Sequence, residues 1–176
     1  VKRRLPLKLA AMVAGFAGAT GAFGKAGLEH QVKAAFLGKF GAFVTWPQGA
    51  FTDPAAPLAL CIVGHDPFGS TLDHGVRGET VEGRPIVVRR LGTLGAASGC
   101  HIAYLGGSPT QSAAAAARAG ARAGVLTVSD GPVEGAAVQF VIRANRVRFR
   151  IDQRAAAAAG LNVSSKLLNL AVEVVR

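Results

Sequence analysis

Two cysteines and four histidines are the side chains of this 176-residue chain best suited to chemistry, and their spacing narrows what they can do. Cys61 lies inside Leu58-Ala59-Leu60-Cys61-Ile62-Val63, and Cys100 opens Cys100-His101-Ile102-Ala103-Tyr104-Leu105. Each run is short, unbroken and apolar, the pattern of a strand covered on both faces. No CxxC is present, so a thioredoxin-type redox pair is not expected. A reactive thiol needs an electropositive, accessible setting, and the middle of a buried strand does not offer one. In an oxidising compartment a lone cysteine pair reads as a disulfide, with two unpaired buried thiols as the alternative. A Cys61–Cys100 bridge would close a loop of about 40 residues, for which chain entropy gives on the order of 4 kcal/mol.

The remaining chemistry is sparse. His30, His65, His74 and His101 are scattered, and only His65 and His74 are near in sequence. Nine residues apart across a helix is not ligand spacing, so no metal or other cofactor is expected. Neither G-x-S-x-G nor HExxH occurs. Gly64-His65-Asp66-Pro67-Phe68-Gly69-Ser70-Thr71 has the outline of a phosphate-cradling loop, but Ser70 replaces the lysine that would hold a triphosphate. Catalysis is therefore not the expected function.

Two sets of residues suit binding instead. Loops after three strands carry His65 and Asp66, Ser108, and Ser129 and Asp130, at the carboxyl ends where open α/β sheets hold ligands. A small polar ligand could sit there. Arg143, Arg146, Arg148, Arg150 and Arg154 alternate with apolar residues, and this basic face could meet an acidic partner surface.

The elements positioning these residues follow from periodicity. Leu28–Trp46 reads as an amphipathic helix with Val32, Phe36, Phe40 and Phe43 on its apolar stripe and Lys33 and Lys39 off it. Asp66-Pro67 reads as the cap and first residue of a short helix to His74. Pro85–Arg90 is a strand near a sheet edge, Thr110–Ala123 an alanine-rich helix, and Val125–Val128 another strand. Val138–Ile142 and Val147–Ile151 alternate strictly, predicting an antiparallel hairpin that turns at Ala144-Asn145. Ala155–Ala159 is a short helix, and Lys166–Val175, capped by Ser164 or Ser165, is the last. The expected fold is a single-domain layered α/β/α arrangement, its central sheet mostly parallel with an antiparallel C-terminal hairpin.

The first 26 residues form a separate unit. Lys2-Arg3-Arg4 and Lys8 precede a short run rich in Ala and Gly, and small residues follow, so residues 1–26 read as a secretory signal peptide and 27–176 as the exported domain. Their removal takes five of the 20 basic residues and none of the 10 acidic ones, so the formal charge falls from +10 to +5. No basic run is interleaved with aromatics, and nucleic acid is not an expected partner. No later run is long enough to insert in a membrane.

Several of these stretches together resemble the YfiR family of exported bacterial proteins. They are Glu29-His30-Gln31-Val32-Lys33-Ala34-Ala35-Phe36-Leu37 with Phe43-Val44-Thr45-Trp46-Pro47, Leu60-Cys61-Ile62-Val63-Gly64 with Asp66-Pro67-Phe68-Gly69, Gly83-Arg84-Pro85, and Cys100-His101-Ile102. Leu126-Thr127-Val128-Ser129-Asp130, Val147-Arg148-Phe149 and Ser164-Ser165-Lys166-Leu167-Leu168 complete the set, from about Glu29 to Val174. The resemblance implies a periplasmic, often dimeric α/β protein with a disulfide at Cys61 and Cys100. It also implies a repressor that binds the periplasmic sensor part of an inner-membrane diguanylate cyclase, or another membrane signalling protein, and lowers cyclic di-GMP. A periplasmic ligand-binding module serving a sensor kinase or outer-membrane receptor is the alternative. This chain departs from the family in three places. It has no cysteines for a second disulfide, it carries Gly131-Pro132-Val133-Glu134 in place of a phenylalanine-containing turn, and it carries Arg150-Ile151-Asp152 in place of an acidic residue and asparagine.

Overall fold

The computed structural model describes residues 21–176, so residues 1–20 of the expected signal peptide lie outside it. Strand β2 (Leu58–Gly64) is the spine. Leu58, Leu60 and Ile62 enter one apolar cluster, while Cys61 and Val63 enter a second on the opposite face. A strand buried on both faces has no use for polar residues, which is why the sequence is apolar throughout. Beside β2 lie β4 (Arg84–Leu91) and β5 (Ile102–Gly107), followed by β6 (Leu126–Asp130) and β7 (Val138–Arg143). All five are parallel to their neighbours.

Strand β8 (Arg146–Asp152) returns antiparallel to β7 through a turn in which Ala144 and Asn145 both have positive φ. That turn matches the right-handed twist of the hairpin. The two-residue β3 (Thr80–Val81) closes one edge and β10 (Glu173–Val175) the other. Helices α1 (Gly21–Phe40) and α2 (Ser70–Val76) cover the first face, and α3 (Ala113–Ala123) packs on β5 and β6 from the second. The fold is thus the expected layered α/β arrangement. In α3, Gly120 lies so close to β6 that a Cβ there would run into the Thr127 side chain, so the helix seats through small residues.

Several expected elements differ. The first helix ends at Phe40, a 3-10 turn follows, and Val44-Thr45 forms β1, paired with β9 (Asn162–Val163). Lys33 is buried to 2 % exposure between α1 and the sheet, because carboxylates on two elements receive its ammonium. Asp66 does not cap α2 directly. Its carboxylate accepts from the amides of Phe68 and Gly69, a turn before the helix begins at Ser70.

The last helix, α5 (Ser165–Leu170), carries the expected Ser164 cap but stops early. Val172, Val174 and Val175 are β-branched, and the open edge of β8 offers them backbone partners that a helix could not better. The short α4 (Gln153–Ala158) begins at the Asp152 cap, ahead of the alanine run.

The Cys61–Cys100 disulfide is present, with Cα atoms 5.9 Å apart and the two residues 39 positions apart in sequence. Next to it, His101 is buried and pins the 47–57 loop. Its Nδ1 accepts from the Ala59 amide at 3.0 Å, so the proton sits on Nε2, which donates to the Ala50 carbonyl at 3.0 Å. Phe51 stacks on the imidazole at 4.2 Å, and the Arg84 guanidinium lies over the other face of that stack, 4.0 Å from the Phe51 centroid. Burial, and to a smaller degree Arg84, hold the imidazole below its ordinary pKa, although the Ala50 carbonyl favours the charged form.

Two outcomes are expected. Replacing Cys61 and Cys100 by serine lowers unfolding stability by on the order of 4 kcal/mol in urea titrations, and either single variant loses about as much as the double. Neutral His101 contributes stability that is present above the ordinary imidazole pKa and lost as pH falls through its lower folded value. Melting temperature should therefore drop as pH falls below the ordinary imidazole pKa of about 6.5, and the drop should shrink in His101→Phe.

Candidate functional site

At the carboxyl ends of the parallel strands, Asp66, Ser108, Ser129 and Asp130 are engaged by the chain through their side chains, and His65 through its backbone amide. His65 is exposed, and its amide donates to the Gly107 carbonyl at 2.9 Å. That contact joins the ends of β2 and β5 so closely that a Cβ on Gly64 would meet the Gly107 carbonyl, and one on Gly106 the His65 carbonyl. Ser108 closes its own turn, its hydroxyl accepting from the Gln111 amide at 3.1 Å. Ser129 is buried and donates to the Gly131 carbonyl at 2.9 Å.

Asp66 and Asp130 carry the charge of this end. Asp66 accepts from Arg90 Nε at 2.7 Å, and the same guanidinium also binds Asp73. Burial alone would raise the Asp66 carboxyl, but Arg90 and the Phe68 and Gly69 amides hold it below the usual range. Asp130 accepts from Lys33 Nζ at 2.7 Å, and Glu29, one helical turn before Lys33, accepts from the same ammonium. Burial opposes the charge on Lys33, yet these two carboxylates carry its pKa above the ordinary value. Helix α1 thus lies across the crevice. His30 meets Phe68 edge-on at 6.3 Å, and Phe68 packs against the buried Tyr104 at 4.8 Å. Sequence reasoning placed Lys33 on the solvent face. The signal that could have found it is the Glu29–Lys33 spacing, which puts the two side chains on one side of the helix.

The arginines stand on the β7–β8 hairpin, next to the β10 edge of the sheet. Arg143 and Arg146 are exposed and lie directly opposite each other across the hairpin, Arg148 opposes Val141, and Arg150 opposes Gln139. Only Arg150 of these four has an acidic partner among the described residues, Glu173 on β10 at 3.2 Å. Like charges opposed across a strand pair cost stability, and Arg143 and Arg146 bear that cost without a carboxylate to offset it. Arg154, just past β8, lies 3.7 Å from Asp152.

Two grooves that the sequence did not disclose flank α1. One, of about 440 Å³, separates its amino-terminal half from the hairpin tip, with Leu28, Val32, Phe36, Ile142 and Val147 on its walls and Lys25, Arg146 and Arg148 beside them. The other, of about 290 Å³, lies toward α5 and is lined by Phe36, Phe43, Phe149, Leu167 and Leu170. The expected aromatic stripe explains both. Phe40 is fully buried against Phe140 and Phe149, while Val32, Phe36 and Phe43 are only partly covered. Among the described residues no three His, Cys, Asp or Glu side chains gather as a metal cluster, and no helix is long and apolar enough to cross a membrane.

A disulfide-stapled, mostly parallel sheet covered by helices on both faces, with its carboxyl-end crevice occupied by its own first helix, defines the class of fold. Within that class, residues 30–172 match the model of the YfiR/HmsC-like family, and the chain belongs to it. No curated protein matches the chain.

The seating of α1 gives a direct test. Lys33→Ala leaves Asp130 and Glu29 without their cation, and the expected cost is about 2 kcal/mol in urea titrations. Lys33→Met, which keeps the buried stem, is expected to lose less.

Proposed function

We propose that this chain is exported by way of residues 1–26 and acts in the periplasm as a non-enzymatic regulator. It docks on the sensor part of a membrane-bound diguanylate cyclase and represses it. The observation that carries this reading is the family match over residues 30–172. The Cys61–Cys100 disulfide supports an oxidising compartment, where such a bridge persists. The uncompensated arginines of the hairpin support contact with an acidic partner surface, since complementary charge steers and orients association.

Asp66 and Asp130 are already paired with Arg90 and Lys33, which favours the docking reading over a small-ligand module.

Deleting the gene in its host should raise cyclic di-GMP, and the wild-type gene should restore the original level. A copy carrying Arg146→Glu and Arg148→Glu should fail to restore it while folding normally by circular dichroism. Unchanged cyclic di-GMP in the deletion strain would remove the cyclase from the proposal.

A further inference from the structure

The groove between α1 and the hairpin tip has the form of a binding site for a particular kind of polypeptide. Three of the five large apolar side chains left exposed among the described residues border α1: Leu28 at 61 %, Ile142 at 48 % and Leu170 at 60 %. Scattered exposed apolar residues are ordinary, but these are joined through the partly covered Val32 and Phe36 into one strip serving both grooves. From Leu28 to Phe40 the strip follows the helix axis for about 18 Å. That length and the apolar floor suit an amphipathic segment laid into a groove.

The rim decides the sign of the occupant. Arg146 and Arg148 line the hairpin end, Arg143 stands across from Arg146, and Glu29, the one acid there, is already bound to Lys33. A second copy of this chain would bring the same cations against themselves in a two-fold pairing, which like-charge repulsion disfavours. Residues 1–20 suit the rim no better, because they contain Lys2, Arg3, Arg4 and Lys8 and no acid. We infer that the groove between α1 and the β7–β8 tip receives an acidic amphipathic segment of the membrane partner, its apolar residues against Leu28, Val32, Phe36 and Ile142 and its carboxylates on Arg146 and Arg148. This rests on the docking reading above and assigns that reading its surface.

The test is photocrosslinking of the full chain in its host, with benzoylphenylalanine placed at Leu28, at Ile142, or at Val87 on β4 as a control remote from the groove. The expected result is that Leu28 and Ile142, but not Val87, crosslink to one segment of a membrane protein in which apolar residues alternate with Asp and Glu. Arg146→Glu with Arg148→Glu should cut that yield roughly tenfold or more, and added salt should weaken it. Both arginines are at least partly exposed, and circular dichroism would verify that the variant folds. A crosslink to a second copy, to residues 1–20, to a segment without acids, or to no protein would overturn the inference. If the segment belongs to a sensor kinase, the groove assignment stands and the cyclase reading fails. If deletion raises cyclic di-GMP while neither groove position crosslinks, the cyclase reading stands and the groove assignment fails.

Discussion

The seating of α1 against Asp130 at the end of β6 and Phe68 after β2 is the constraint on which the rest depends. It is set by one buried ammonium. Lys33 reaches through the apolar face of the helix to Asp130 at the end of β6 and is shared with Glu29 from its own helix. A buried cation is tolerable only where carboxylates neutralise it, so the helix can sit in few positions relative to the sheet. Because Lys33 fixes the helix there, Leu37 and Phe40 fall into the core, and Phe36 is left bridging core and surface. The groove beside the hairpin is what remains between a helix held by its polar anchor and strands held by their own pairing.

A second anchor operates at the opposite ends of the same strands. The disulfide ties β2 to the residue that enters β5, and His101 next to it holds the 47–57 loop through two backbone hydrogen bonds and a stack of rings. The two anchors respond to different conditions. Reduction acts on the bridge and acidification on the imidazole, whereas the Lys33 ammonium is held in its charged form by its two carboxylates. Stability at the two ends of the sheet is therefore separable by experiment.

The charge distribution bears on function more than the excess of basic residues does. Asp66 and Asp130 are neutralised by Arg90 and Lys33, and Arg150 by Glu173, while Arg143, Arg146 and Arg148 gather at the hairpin without a carboxylate among the described residues. An uncompensated cluster beside exposed apolar side chains combines the two attributes of a protein-docking face, attraction at a distance and area to bury at contact.

Local pattern determined a good deal of this molecule. The apolar run of β2, the strict alternation of the hairpin with its Ala144-Asn145 turn, the Ser164 cap and the alanine helix are all short-range properties, and each formed as its residues dictate. What periodicity could not supply was the partner of each element. Val172 to Val175 continue a helical apolar pattern, yet they form a strand because β8 has an open edge beside them. Val44-Thr45 pairs with residues more than a hundred positions away, which no local window contains. Lys33 reads as solvated until Asp130, 97 residues later, is brought beneath it. The His65, Asp66, Ser108, Ser129 and Asp130 set was legible as residues at strand ends, but only the fold decided that α1 would lie over them. Sequence determines which groups want burial, pairing or a turn; which groups answer them is settled when distant segments compete for the same space.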